Sequence, residues 1–453
     1  MRKHTSLGAI NRIHFIGIGG VSMSGIAETL VKDGFIVSGA DRSATAVTSH
    51  LQDIGIHIDI GYNPNNITPD IDLVVYNAAI KPDNPERMVA NTLGIPSMVR
   101  AELIGKMLQD YEYAICIAGS HGKTSTTALV TAIAVEAGLN PTVNIGGYIG
   151  EKNYLVGNSP YFILESCEYS NSYHHFHPYI GVILNIDADH MDFHGSMDAI
   201  IESFAKFARN IRPGGTLIIQ KGIQGFDRIT EGLNCKIVTF DTDELRNTTT
   251  TAETSSFELM NNSGVPTHVN LPLPGEYNMH NALAAFTVGR ELGVEPRIIA
   301  KALSQAQSVR RRYEYKGELD GTIIIDDYAH HPTEIKACLA AARAAYPDRR
   351  IICIFQPHTY TRTRNHFDDF SKAFSDTDIA LFVPIYAARE PYDPTISSEM
   401  LSDKVGSHGH FSVSFDSFED AEVWLREKLI PYDLLITMGA GDVYLIGERL
   451  LGR

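Results

Sequence analysis

The chain has 453 residues, 44% of them hydrophobic and 20% charged, with a formal net charge of −16. That length exceeds one ordinary core and points to three domains. The negative balance excludes a general nucleic-acid binder, since a polyanion would meet repulsion over most of the surface, so any anionic ligand must be held by local positive sites. No uncharged apolar stretch reaches the roughly 18 residues of a membrane span. The start MRKHTSLGAINRIHF is basic but has no signal-peptide apolar core. A cytoplasmic protein with no membrane or nucleic-acid partner is expected. The five cysteines, Cys116, Cys167, Cys235, Cys338 and Cys353, lie far apart without CxxC spacing, which argues for reduced thiols rather than a disulfide frame or a zinc site.

The first unit, residues 1–108, opens with RIHFIGIGG, a short apolar strand running into glycines. A helix follows, with Met23, Ile26, Ala27, Leu30 and Val31 at helical spacing. FIVSGAD reads as a second strand ending at Asp41, and DLVVYNAAI as a later one, which gives a doubly wound, Rossmann-like sheet. Gly17, Gly19 and Gly20 would let backbone amides approach a diphosphate at a helix N-terminus. The GxGxxG spacing is met only with Ser22 in the last glycine's place, and a tight turn packed for steric reasons is the competing reading. Asp41 stands where a ribose-binding acid would, or an N-cap aspartate.

The second unit, residues 109–309, carries AICIAGSHGKTSTT. A strand runs into Gly119, Ser120, His121 and Gly122, and a helix starts at Lys123, Thr124 and Ser125. This is the context of a phosphate loop: backbone amides cradle the phosphates, Lys123 neutralises charge between the β and γ groups, and the Thr124 hydroxyl can ligate Mg²⁺. The loop is shorter than GxxxxGK[ST], because Ile117 stands where that pattern has its first glycine. YFILES, IGVILNIDADH, GTLIIQ and KIVTF are further strands of a parallel sheet. His174, His175 and His177 have a spacing that suits no single face and read as a solvated turn. Residues 241–270 are rich in Thr, Ser and Asn, and read as short antiparallel strands or as an excursion without a catalytic role.

The third unit, residues 310–453, begins near VRRRYEYKG, where Arg311 and Arg312 sit at the junction. Its strands run directly into polar or glycine-rich residues. DDYAHHP and QPHTYTRTR bring Asp326, Asp327, His330, His331, His358, Arg362 and Arg364 to two strand ends of one sheet, too many ionisable groups for chance packing.

The shortened phosphate loop, together with HFIGIGGVSMSGIA, NAAIKPDNPE, NIDADHMDFHG, YNMHNALAA, DDYAHHPTE, FQPHTYTRTR and MGAGD, resembles the Mur ligase family over nearly the full length. The resemblance implies an ATP-dependent carboxylate–amine ligase of peptidoglycan precursor synthesis, with three α/β domains. These are a Rossmann-like N-terminal domain for the UDP-substrate, a central P-loop ATPase domain and a Rossmann-like C-terminal domain for the amino acid. ATP and Mg²⁺ are the implied cofactors, UDP-N-acetylmuramate and L-alanine the substrates, and a monomer or weak homodimer the state. Gly17, Gly19, Gly20, Ser22 and Asp41 are then the UDP-side residues. Glu165 and His190 join Thr124 at the metal, with a hydrogen-bonding role as the alternative for His190 because Mg²⁺ prefers oxygen. Asn278 and Asn281 contact the adenine, with helix capping as the competing reading of Asn278. Arg311 and Arg312 reach the γ-phosphate on domain closure, with a solvated linker run as the competing reading; Arg362 holds the amino-acid carboxylate, and His330, His358 or the substrate phosphate takes the amine proton. Tyr277 replaces a histidine common in relatives, Thr359 replaces an arginine, and Glu168 stays unassigned. The rival readings are a related ligase adding a peptide or another amino acid, a nicotinamide-dependent oxidoreductase suggested by the first glycine cluster, and a protein that hydrolyses ATP without making a bond.

Overall fold

The computed structural model describes residues 4–150, 152–260 and 266–453. Its strands form four sheets, which fall in two compact units, Met1–Asp241 with Ala284–Ala302 and Thr242–Leu283 with Leu303–Arg453.

In the first unit, β1 (Arg12–Ile16), β2 (Ile36–Asp41), β3 (His57–Ile60), β4 (Leu73–Tyr76) and β5 (Ser97–Val99) make a parallel sheet of order β3-β2-β1-β4-β5. The strand order reverses at β1, so the glycine loop after it opens at the crevice where such sheets bind ligands. Met23, Ile26, Ala27 and Leu30 of the helix Val21–Lys32 are buried at the predicted spacing.

A second sheet follows from β6 (Tyr113–Ala118), β7 (Thr142–Ile149), β8 (Lys152–Leu155), β9 (Tyr161–Glu165), β10 (Ile180–Ile183), β11 (Thr216–Gln220) and β12 (Lys236–Phe240). Its order is β12-β11-β10-β6-β9-β7-β8. The expected parallel arrangement holds except at one edge, where β7 and β8 form an antiparallel hairpin. β6 lies between β10 and β9 with Ala114–Ala118 fully buried, which is why it reads as an unbroken apolar run. The carboxyl ends of β6, β9 and β10 are therefore neighbours. One apolar cluster runs through both sheets, from Leu7 and Phe15 through Tyr111 and Phe162 to Ile229, so the first expected domain packs as one unit with residues 109–241 of the second, whose residues 242–283 and 303–309 fall in the other unit.

The second unit contains a small sheet, β13 (Arg246–Thr250), β14 (Ser255–Met260) and β15 (Pro266–Leu271), paired antiparallel. The polar stretch thus takes the first of its two predicted forms, apart from residues 261–265, which lie outside the described residues. Six further strands, β16 (Glu314–Leu319), β17 (Thr322–Asp327), β18 (Ile351–Phe355), β19 (Ile379–Phe382), β20 (Phe411–Ser414) and β21 (Leu434–Met438), make the last sheet. Its order is β16-β17-β21-β18-β19-β20, parallel but for the antiparallel edge strand β16. Only β21 separates β17 from β18, so the loops after β17 and β18 come together. Among the described residues no helix is long and apolar enough to cross a membrane.

Candidate active site

At the first glycine cluster, the Gly17 N–H donates to the Ala40 carbonyl at 2.7 Å, and the Gly19 N–H donates to Asp41 Oδ2 at 2.8 Å. Asp41 does end β2 as predicted, but it caps no helix; its carboxylate fastens the glycine loop. Gly20 is the N-cap of Val21–Lys32, so the loop delivers first-turn amides that have no intrahelical acceptor, and the Ser22 carbonyl accepts from Asn144 Nδ2 at 3.3 Å.

The loop Gly119–Gly122 has the strand–loop–helix build that its sequence predicts, between β6 and the helix Lys123–Glu136. Gly119 has φ of 146° and Gly122 has φ of 81°, backbone conformations that a side chain would strain, and Gly122 is the N-cap of the helix Lys123–Glu136. The loop after β10 pins it in place. Asn185 bonds His121 on both sides, accepting from its N–H at 2.8 Å and donating to its carbonyl at 3.0 Å. The Ser120 hydroxyl accepts from the Asp187 N–H at 2.9 Å, and His121 Nε2 lies 3.0 Å from Asp187 Oδ2.

Lys123 is fully engaged. Its Nζ donates to the carbonyls of Gly119 at 2.5 Å and Ser120 at 2.9 Å, and it pairs with Glu168 at 2.9 Å. Burial alone would push the ammonium down, but the Glu168 carboxylate outweighs it and holds Lys123 above its ordinary value. Glu168, left unassigned from the sequence, is 2% exposed and is thus the counter-ion of the phosphate-loop lysine. The only sequence signal was an acid three residues beyond Glu165.

Glu165, at the end of β9, accepts from the Thr124 hydroxyl at 2.9 Å through Oε1 and from the Gly146 N–H at 2.6 Å through Oε2. His190 gathers with Glu168 and Asp189, their ligand atoms all within 4.8 Å of one another. The expected metal set therefore appears as two adjoining groups, Thr124 with Glu165 and His190 with two carboxylates that the sequence left unassigned. A hydroxyl and three carboxylates are hard oxygen donors, the set that suits Mg²⁺. The Cys167 thiol between the two acids is pushed up to about 11, by burial and then by Glu168, so it is no thiolate nucleophile. His174 and His175 close the 3-10 helix Tyr169–His175; His174 is half-buried and bonds Ser203, so of the predicted solvated turn only His175 and His177 are exposed.

In the second unit the rings of His330 and His358 stand 5.9 Å apart. His330 Nδ1 is 3.0 Å from the Tyr328 carbonyl and 3.3 Å from Glu334 Oε2, both acceptors, so Nδ1 carries a proton. His358 has the opposite tautomer: its Nδ1 accepts from Arg362 Nη1 at 3.3 Å. Arg362 thus reaches His358, whose ring faces His330, while Arg364 pairs with Asp393. Asp326 and Asp327 do not belong to this group. Asp326, fully buried, pairs with Arg311 at 2.9 Å, and Asp327 accepts from the Tyr313 and Ala329 N–H groups, both at 2.7 Å. Arg311 also donates to the carbonyls of Gly439 and Gly441 at 2.6 and 2.8 Å, so the MGAGD stretch and the first junction arginine are architectural. Arg312 lies 5.2 Å from the Tyr328 ring centre. Asn278 and Asn281 are buried in the helix Glu276–Glu291, and Asn278 Nδ2 donates to the Pro274 carbonyl at 2.7 Å instead of acting as an N-cap. The Tyr277 hydroxyl is buried without a hydrogen-bond partner among the described residues.

Three family models match in succession: "Mur ligase family, catalytic domain" over residues 12–112, "Mur ligase middle domain" over 117–289 and "Mur ligase, glutamate ligase domain" over 311–441. The chain is 44% identical over 446 residues to a UDP-N-acetylmuramate--L-alanine ligase of Clostridium novyi, covering 97% of each. Among solved structures it is similar to the UDP-N-acetylmuramate-alanine ligase of Thermotoga maritima, with 26% identity, 98% of each chain covered and a TM-score of 0.81. A murein peptide ligase of Psychrobacter arcticus shares the fold at 22% identity, with 98% of each chain covered and a TM-score of 0.70.

Proposed function

This chain belongs to the Mur ligase family, and from that premise we propose that it joins L-alanine to the lactyl carboxylate of UDP-N-acetylmuramate, with cleavage of ATP to ADP and phosphate. The observation that carries the reading is the meeting of Lys123, Thr124 and Glu165 at the carboxyl ends of adjacent strands. The nicotinamide reading falls, because the family match includes the glycine cluster that suggested it.

A free carboxylate does not acylate amines at neutral pH, since oxide is too poor a leaving group, whereas an acyl phosphate loses phosphate readily. The lactyl carboxylate attacks the γ-phosphorus, ADP leaves, and the amine of L-alanine attacks the acyl carbon; the tetrahedral intermediate collapses to amide and phosphate. Lys123 and the first-turn amides stabilise the transferring group. A bound Mg²⁺ would supply further charge neutralisation, held by Thr124 and Glu165 with His190, Glu168 and Asp189 beside them. Arg362 holds the α-carboxylate of the amino acid, and His330, as the neutral imidazole, takes the amine proton. Gly17, Gly19, Gly20, Ser22 and Asp41 serve the UDP-substrate, and Asn278, Asn281 and Arg312 serve ATP. We assign these tasks to residues 1–108, 109–309 and 310–453, in a cytoplasmic monomer or weak homodimer that uses neither nucleic acid nor membrane.

Mass spectrometry of the products from UDP-N-acetylmuramate, MgATP and a mixture of amino acids tests the proposal. A mass increase corresponding to one alanyl residue is expected. Another residue, an added peptide or ADP formed without any conjugate would refute it.

A further inference from the structure

We propose that Gly146 is a positioning residue of the phosphoryl-transfer site: its backbone N–H holds one oxygen of Glu165 while the Thr124 hydroxyl holds the other. The inference rests on the reading of Glu165 as a metal ligand and deepens it.

The sheet itself turns this amide toward the carboxylate. β7 pairs with β9 only as far as Asn144 opposite Leu164, and its ladder to β8 is interrupted between Asn144 and Ile149. An irregularity of this kind frees a backbone group from the ladder and re-aims it. The Gly146 N–H is spent instead on Glu165 Oε2 at 2.6 Å, one residue beyond the last β9 pair. With Thr124 on Oε1 at 2.9 Å, both oxygens are held by donors, and each keeps a lone pair to offer a cation.

Glycine is needed here for closeness and not for backbone freedom. Gly146 lies outside the left-handed region, yet a Cβ at this position would stand 2.8 Å from both Glu165 oxygens. The same strand is anchored two residues earlier, where Asn144, 5% exposed, donates to the Ser22 carbonyl on the first turn of Val21–Lys32. β7 thereby ties the strand that holds the carboxylate to the helix that follows the first glycine loop.

Mn²⁺ binding to the full-length protein saturated with ADP, followed by electron paramagnetic resonance, tests the assignment without turnover. Gly146→Ala keeps the amide, but its Cβ would push the Glu165 carboxylate off it, and the variant is expected to weaken Mn²⁺ about tenfold, as displacement of a ligand from its supporting hydrogen bond does. It is expected to leave metal-free ADP binding within twofold and to add nothing in a Glu165→Gln background. A loss below fivefold, or a loss that persists in full in that background, overturns the inference while leaving Glu165 a ligand. If Glu165→Gln alone binds Mn²⁺ like the wild type, the underlying reading fails and the inference with it. Should Gly146→Ala not fold, Asn144→Ala, which crowds nothing, carries the test: at least a threefold loss is expected, and a smaller one overturns the proposal.

Discussion

Lys123 has three N–H donors and three acceptors already in place, two loop carbonyls and Glu168. A nucleotide phosphate must displace one of them, and the buried carboxylate is the one it repels. Glu168→Gln is therefore expected to tighten metal-free ADP several-fold in calorimetry, and to lower kcat because Lys123 loses the partner that orients it. Unchanged ADP affinity and turnover would take Glu168 out of the phosphate site. The two histidines of the second unit separate on the same kind of reasoning. His330 spends Nδ1 on the Tyr328 carbonyl and Glu334, whereas the His358 Nδ1 accepts from Arg362. His330→Gln should lower kcat by about 10² or more, the usual share of a general base. His358→Gln should act mainly on the KM for L-alanine, by loosening Arg362. Steady-state kinetics decides, and the reverse ranking would exchange the two roles.

At the scale of elements, the phosphate loop is held by another loop. Asn185, two residues past β10, grips His121 at both its N–H and its carbonyl. Asn185→Ala leaves both groups without their partner in a half-buried site, at a cost of about 1–3 kcal/mol. The expected result is weaker ADP binding, with UDP-N-acetylmuramate binding unchanged; a variant binding ADP like the wild type would show the loop to be rigid on its own. The legibility of these elements differed for physical reasons. The strand–GSHGKTS–helix sequence announced itself because only glycine tolerates the backbone at Gly119 and Gly122. Asn185, Asp187 and Glu168 were silent, since an amide or acid after a strand looks the same whether it faces solvent or a neighbouring loop. Asp326 and Asp327 misled: as a cluster of charge they resembled chemistry, but burial and backbone donors make them part of the frame around Arg311 and Tyr313.

Whole-molecule stability carries the mark of one of these acids. Burial pushes Asp327 up to about 6, against about 3.9 for an unfolded aspartate. The native state then binds this proton more tightly than the unfolded state, so the contribution of Asp327 to stability falls as pH rises from about 4 to about 6. The loss is at most about 3 kcal/mol. Denaturant unfolding between pH 4 and 7 should show a slope for the wild type that Asp327→Asn flattens by about one proton; equal slopes would disprove it.

The sequence by itself determined the three α/β domains, the phosphate loop, the family resemblance and the stretches that carry chemistry, because glycine constraints, apolar runs and motif spacing are local properties written along the chain. Only the tertiary structure decided which of the charged residues work together. Strand order places β9 between β6 and β7 and leaves β17 and β18 one strand apart, and that adjacency pairs Glu168 with Lys123, Gly146 with Glu165 and His330 with His358. These contacts join residues up to 45 positions apart, and no periodicity in the chain encodes them.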